Sequence, residues 1–383
     1  MPQETPQALR FTRIRLENWR NFRHVEVDLQ GRVFLVGPNA SGKSNFLNAF
    51  RFLHEVAKHS GFQQAVLHRG GVSRLRNWSA PDGSDITVAV SLGTDGQPRL
   101  WEYEIRFNED ASGRPILTAE RVKREGFELN RPDENDRQDP ARLTQTALEQ
   151  VSLNKGFREI ADFLSAVFYL HVIPQIVREP DRSAGRTADP FGGDFLEQMA
   201  DLPGDLLRER LDWLTRVLQV AVPEIERLEI QRNGRGQAHL RAQDRSSGRW
   251  QTEADLSDGT LRLIGLLWSH RVQASGPLIL EEPELSLHPE IVRRLAQLFA
   301  LMESQAGQQI LLSTHSPDLL LDEGIGLDEV FLLLPSEQGT EVRPAASFPE
   351  IVALLEGDVP LSDAVLPTTR PQGVEQFARR LSH

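Results

Sequence analysis

Apolar and polar positions change their period several times along the chain. Phe11, Ile14 and Leu16, then Val25 and Val27, alternate with polar neighbours, which predicts two strands joined by a turn at Asn18–Arg23. Val33–Val36 is apolar throughout, the pattern of a buried central strand. A glycine-rich turn follows, and Phe46, Leu47, Phe50, Leu53 and Val56 then fall on one face of a helix. Ile86–Val90 and Leu100–Phe107 alternate again around Gly93, Gly96 and Pro98, predicting antiparallel strands. Arg131–Arg142 is polar, contains Pro132 and Pro140 and has no period, so it reads as a loop. Leu143–Phe168 reads as broadly helical, and Glu179–Gly193 as a further loop. Asp205–Val220 is an amphipathic helix, and Asn233-Gly234 between Leu228–Arg232 and Gln237–Ala242 predicts a hairpin. Leu261–Trp268, Leu278–Leu280, Ile291–Met302, Ile310–Leu312 and Val330–Leu334 then alternate helix with short apolar strand, the rhythm of a parallel α/β sheet. There is no internal repeat, and no heptad run long enough for a long coiled coil.

Composition narrows the field. At about 150 residues per domain, 383 residues predict two or three structural units. The net charge of −12 argues against a general nucleic-acid coat but leaves room for a local basic groove. The chain has no cysteine, which excludes disulfides, thiol catalysis and thiolate-bound zinc. Apolar runs such as Leu263–Trp268 and Phe331–Leu334 fall far short of the roughly 20 residues that span a bilayer. Met1–Arg10 is polar, without the apolar stretch of a signal peptide. The expectation is a soluble cytoplasmic protein with no membrane partner.

Four motifs carry chemistry. Gly37-Pro38-Asn39-Ala40-Ser41-Gly42-Lys43-Ser44 satisfies G-x-x-x-x-G-K-[ST] between a strand and a helix. Its glycines let the backbone wrap so that successive N–H groups face phosphate oxygens, and the helix N-terminus adds positive potential. Lys43 is the candidate for the β- and γ-phosphates and Ser44 for Mg²⁺. The apolar run Leu278–Leu280 ends in Glu281-Glu282-Pro283-Glu284, placing acids at the carboxyl end of a sheet strand. Ile310–Leu312 leads through Ser313-Thr314 to His315. Leu256-Ser257-Asp258-Gly259-Thr260 opens a helix, where Ser257 or Asp258 is also a natural N-cap.

In this order the four motifs resemble the ABC-class ATPase head, and more closely the branch of RecF, SMC, Rad50 and OLD-family proteins. Leu256–Thr260 resembles the signature motif, Glu281–Pro289 the Walker B and D-loop, Ser313–Pro317 the switch-histidine loop, and Ile14-Arg15-Leu16-Glu17-Asn18-Trp19-Arg20-Asn21-Phe22 the N-terminal stretch of that branch. Glu281 stands where most relatives carry Asp, and Asp258 replaces the second glycine of transporter signatures, which favours the repair and defence branch over a transporter subunit.

The resemblance implies an α/β P-loop head with an antiparallel subdomain and a small helical arm. Residues 1–130 and 251–345 are expected to form the head, 131–250 the arm with its hairpin, and 346–383 a tail. It implies ATP and Mg²⁺ as cofactors. Gly37, Asn39, Ala40, Ser41, Gly42, Lys43, Ser44 and Asn45 would cradle the nucleotide; Ser44 and Glu281 would serve Mg²⁺; Glu282 would polarise water; His315 would meet the γ-phosphate. Ser257 and Gly259 would close the site of a second copy in a head-to-tail, ATP-dependent homodimer. Gln175 is the candidate that senses Mg²⁺ and water, with Gln63 and Gln64 as alternatives. DNA is a possible ligand through arginines bunched at 10–32, at Arg69, Arg74 and Arg76, and at Arg178, Arg182 and Arg186; the other reading is intramolecular ion pairing. The output is expected to be DNA repair or anti-phage defence, with a separate effector protein as partner. The alternative is an ATP-gated scaffold that holds a toxin or nuclease without acting on DNA. The tail is expected to lack nuclease chemistry: Leu354-Leu355-Glu356-Gly357 has a superficial likeness to the start of a TOPRIM domain, and Asp358 and Asp363 read as solvated turn residues.

Overall fold

The computed structural model describes residues 8–58, 61–179, 189, 191–272 and 276–370. These form two compact units, one of residues up to 168, 276–279 and 297–370, the other of 169–272 and 280–296.

The first unit contains an antiparallel sheet of β1 (Arg10–Trp19), β2 (Phe22–Asp28), β4 (Ile86–Gly93), β5 (Trp101–Glu109), β6 (Pro115–Arg124) and β7 (Phe127–Arg131), in the order β2-β1-β4-β5-β6-β7. Its second sheet is built on β3 (Arg32–Val36), β13 (Ile310–Thr314), β14 (Val330–Ser336) and β15 (Gly339–Pro344) in the order β15-β14-β3-β13. β12 (Leu278–Glu281) and β8 (Phe168–Leu170) continue that order, and their first residues belong to this unit. β13 and β14 both run parallel to β3, and β15 runs antiparallel to β14. β3 and β13 are buried along their whole length, as strands flanked on both sides must be.

The helix Lys43–Ala57 follows β3 and is held by aromatic packing. Phe50 meets Phe11 of β1 edge-on at 4.8 Å, and Phe52 lies 5.2 Å from Trp19 and 5.6 Å from Phe107 of β5. Such pairs contribute about 0.5–1.5 kcal/mol each beyond their buried area. The phosphate loop therefore hangs between a central strand and a helix whose far face is anchored in the antiparallel sheet.

The second unit contains the helices Phe195–Ala200, Gly204–Ala221 and Asp258–Val272, and a three-stranded sheet in the order β11-β10-β9. Its strands are β9 (Ile225–Arg232), β10 (Ala238–Asp244) and β11 (Trp250–Thr252). The hairpin at Asn233-Gly234 is present, with Ala238 opposite Arg232.

Two sequence expectations fail. Arg131–Arg142 is not a loop: it holds the helix Glu134–Gln138 and the 3₁₀ turn Pro140–Thr144. Leu143–Phe168 is helical chiefly at Arg158–Ser165, after the 3₁₀ turn Asn154–Phe157. The cause is a buried ion network. Arg131 donates to Glu120 (3.0 Å) and to both oxygens of Asp136 (2.9 Å each), and Glu120 accepts the Ala147 N–H at 2.7 Å. The segment folds around charges, so apolar period does not reveal it. Most of Glu179–Gly193 lies outside the described residues. Among the described residues no helix is long and apolar enough to cross a membrane, and none of the described helices approaches the length of a long coiled coil.

Candidate functional site

In the first unit the phosphate loop is a strained, tightly supported turn. Ala40 and Gly42 have φ of 64° and 101°, left-handed values that the wrap of the loop requires. A Cβ on Gly42 would lie 2.0 Å from the Asn21 amide nitrogen, so glycine is required there twice over. Asn21 braces the loop. Its amide donates to the Ser41 carbonyl at 2.9 Å and to Thr340 Oγ1 at 2.8 Å, and its oxygen accepts from Asn45 Nδ2 at 2.7 Å. The Trp19 indole donates to the Asn45 carbonyl at 2.9 Å. The stretch Asn18–Phe22 thus acts as a clamp on the first turn of the helix Lys43–Ala57.

Lys43 is buried, and its ammonium lies inside the loop, donating to the carbonyls of Gly37 (2.8 Å) and Pro38 (3.2 Å). Ser41 is fully buried and its hydroxyl has no hydrogen-bond partner. The helix begins at Gly42, which offers no capping side chain, and its first turn carries no acid. An orphaned hydroxyl, an inward-turned ammonium and an uncapped helix N-terminus fit the phosphates of a nucleotide. Ser44 is exposed at the mouth of the loop, where a cation accompanying those phosphates could be met.

His315 belongs to the same unit and follows β13. Thr314 Oγ1 accepts the Ser316 N–H (3.0 Å) and Ser316 Oγ accepts the Leu319 N–H (3.3 Å), which fixes the turn that leaves His315 exposed. His315, Gly37 and Asn39 line one cavity of about 600 Å³. Gln63, an alternative to Gln175 for sensing Mg²⁺ and water, donates to the carbonyls of Pro115 (2.8 Å) and Thr144 (2.9 Å).

The second unit holds the acids and the signature. Glu281 ends β12, and its carboxylate lies 3.4 Å from His171 Nδ1. The His171 imidazole is held below its ordinary pKa by burial and by the nearby Arg262, against an opposing pull from Glu282. Glu282 has φ of 43°. Arg262, one turn into the helix Asp258–Val272, has a buried Nε without a hydrogen-bond partner. Burial lowers its pKa, while Asp258, Glu282 and Glu284 favour its charge. The sequence reading passed over Arg262, His171 and the bracing role of Asn21. Arg262 stands one helical turn after Asp258, the one available signal.

Ser257 caps the helix that follows it: its hydroxyl accepts the Thr260 N–H at 3.1 Å and pairs with Thr260 Oγ1 at 2.8 Å. The capping reading of this serine is realised, and its side chain remains on an exposed residue. At Gly259 a Cβ would sit 2.3 Å from the Ser286 carbonyl, so the signature backbone touches the loop after the acids. Gln175 lies 3.4 Å from Asp258, which also pairs with Arg178 at 2.6 Å.

The arginine clusters are largely consumed by internal pairs. Arg10, Arg13 and Arg15 meet Asp95, Glu26, Asp28, Glu17 and Glu104, and Arg32 meets Glu303 and Glu329. Arg69 pairs with Glu55, and Arg76 reaches Glu109 and Asn108. Arg182 and Arg186 lie outside the described residues. Glu356 ends the helix Pro349–Glu356 and is not on a strand, and Asp363 sits within the helix Leu361–Val365, not in a turn.

Comparison with known proteins agrees with this geometry. A family model described as an AAA domain, putative AbiEii toxin, type IV TA system, matches residues 32–322. The DNA replication and repair protein RecF of Streptomyces avermitilis is 23% identical over 375 residues, covering 91% of this chain and 94% of RecF. Endonuclease GajA of Bacillus cereus is 37% identical over 68 residues, which are 17% of this chain and only 12% of GajA. A structure of the Smc head bound to the C-winged helix domain of ScpA superimposes with a TM-score of 0.51 at 14% identity, covering 87% of this chain and 96% of that one. The chain belongs to this AAA-domain family, and its fold is that of an ABC-class ATPase head of the RecF and SMC type.

Proposed function

We propose that the protein binds and hydrolyses ATP with Mg²⁺ and cycles between open monomers and a head-to-tail homodimer. The observation that carries this reading is the buried Lys43 ammonium inside a loop whose Ser41 hydroxyl is buried without a partner. Gly37, Asn39, Ala40, Gly42 and Asn45 shape the cradle, and Lys43 neutralises phosphate charge. Mg²⁺, when bound, would supply charge neutralisation at the phosphates, with Ser44 and Glu281 as its side-chain partners; Gln175, the third candidate, donates to Asp258 of the signature. Glu282 orients and polarises the attacking water, and His315 contacts the terminal phosphate. Ser257 and Gly259 complete the partner copy's site. Positioning and electrostatics, not covalent chemistry, do most of this work. Residues 1–130 and 251–345 supply the head, residues 131–250 the arm, and residues 346–383 the tail.

The similarity to the DNA replication and repair protein RecF supports a role in DNA repair; anti-phage defence is the companion proposal, and both place the protein in the cytoplasm. The consumption of Arg69, Arg76 and the N-terminal arginines by internal pairs favours the version in which the head gates a separate effector protein over one in which it grips DNA itself. Glu282→Gln tests the cycle. It removes the carboxylate that orients water while leaving the cradle intact, so size exclusion with ATP and Mg²⁺ should show a dimer. A monomer that binds ATP under those conditions overturns the head-to-tail model.

A further inference from the structure

Ser257 is pinned from its own helix and from outside it. Its hydroxyl accepts the Thr260 N–H. The residues on either side of it are held by one nitrogen of Arg178, whose Nη2 donates to the Leu256 carbonyl at 2.7 Å and lies 2.6 Å from Asp258 Oδ1. Arg178 follows the short helix Pro174–Val177, and Gln175 of that helix also reaches Asp258, at 3.4 Å. Pro174 and Val177 are buried, and their helix packs on the helix Asp258–Val272, which gives the grip a fixed base. All of these residues belong to the second unit. Asp258 explains why a grip is needed. It is the first residue of its helix and adjoins Ser257. A helix N-terminus attracts phosphate through its positive potential, and a carboxylate beside it cancels that potential. Arg178 neutralises the carboxylate by direct contact, whereas Arg262, the other cation acting on Asp258, also serves Glu282 and Glu284.

Resting on the reading that Ser257 closes the partner copy's site, we infer that Arg178 is the positioning residue of the signature. It fixes Ser257 by holding both of its neighbours, and it neutralises Asp258 so that the helix end accepts a terminal phosphate presented by the partner. Arg178 therefore leaves the set of arginines that could meet DNA. It acts on the nucleotide of the partner copy and not on the one bound by its own chain.

The test uses the full-length protein carrying Glu282→Gln, in which the ATP-bound dimer accumulates. Sedimentation with ATP and Mg²⁺ measures the dimer constant, and fluorescent ATP titrated into protein below that constant measures binding by the monomer. The Arg178 and Asp258 side chains are 24% and 38% exposed, so water screens their contact in part. A charge-assisted bond of this kind is worth about fivefold, and a symmetric dimer contains it twice, so Arg178→Ala should weaken the dimer about 25-fold. The monomer's affinity for ATP should not change. Arg178→Lys should recover part of the loss. Asp258→Asn added to Arg178→Ala should also recover part of it, because the uncompensated carboxylate is gone; a merely structural arginine gives no such rescue. Melting curves on each variant show that the fold is kept. With Glu282 restored, Arg178→Ala and Lys43→Ala should each release phosphate slowly alone and faster when mixed, since a mixed dimer joins one intact loop to one intact signature. An unchanged dimer constant in Arg178→Ala, no rescue by Asp258→Asn, or no gain on mixing overturns the inference while the dimer stands. Weaker ATP binding by the Arg178→Ala monomer places the residue in its own chain's site and overturns it as well. A Glu282→Gln parent that binds ATP and stays monomeric overturns the head-to-tail reading, and the inference with it.

Discussion

Asn21 ties three parts of the first unit to one side chain, and its removal gives a quantitative test of the brace. Asn21→Ala deletes donations to the Ser41 carbonyl and Thr340 Oγ1 and an acceptance from Asn45 Nδ2, at 2.9, 2.8 and 2.7 Å. A hydrogen bond of this kind contributes about 1 kcal/mol net, so the loss of three comes to about 3 kcal/mol. Backbone bonds nearby persist, since the Thr340 N–H still reaches the carbonyl of residue 21 at 2.8 Å. The protein should remain folded and be less stable by about 2–3 kcal/mol in urea denaturation. The bond to Ser41 holds the loop itself, and reordering the loop on binding should cost about 1 kcal/mol, a fall in nucleotide affinity of roughly fivefold. Isothermal titration with ADP measures this directly. If stability falls as expected but affinity does not change, Asn21 merely holds β15 to the hairpin and the brace is wrong. If neither changes, the hydrogen bonds do not form in solution.

Two further predictions follow from the buried polar groups. Glu120→Ala should cost roughly 3–5 kcal/mol, because it strands a buried charge in the Arg131 network; urea unfolding measures it, and a loss below about 1 kcal/mol would refute the network. His54 is pushed down to about 4 by burial and by Lys58, and its Nδ1 lies 3.1 Å from the Leu164 carbonyl. Its folded pKa lies below its unfolded value near 6.5, so the stability it protects is complete above about pH 6.5 and is lost as the pH falls towards 4. His54→Phe should flatten the stability profile across that window by up to about 3 kcal/mol; an unchanged slope would remove His54 as its source.

The wrapped turn after β3 and the parallel core were legible in the sequence because their signals are local. Val33–Val36 is apolar at every position because that strand is buried on both faces, and Gly37–Ser44 has the spacing of a tightly wrapped turn with left-handed residues at Ala40 and Gly42. What was illegible depends on partners distant in sequence. β6 and β7 have no strand reading from the sequence, where Glu120 and Arg131 stand as charges, yet these two are buried against each other. The N-terminal arginines resembled a basic patch until β1 was registered against β2, which puts Arg13 opposite Asp28. Asp363 read as a turn residue because nothing local reports that its helix packs beside the phosphate loop. Asn21 fell within a recognised stretch, but its contact with Thr340 spans 319 residues and no pattern in one sequence shows it.

The central claim is that Gly37–Ser44 is a working ATP site, and phosphate release by purified protein tests it most directly. With ATP and Mg²⁺, the wild-type chain should release phosphate and Lys43→Ala should not, because the cradle then lacks the ammonium held at the Gly37 and Pro38 carbonyls. Equal rates from the two proteins would contradict the account.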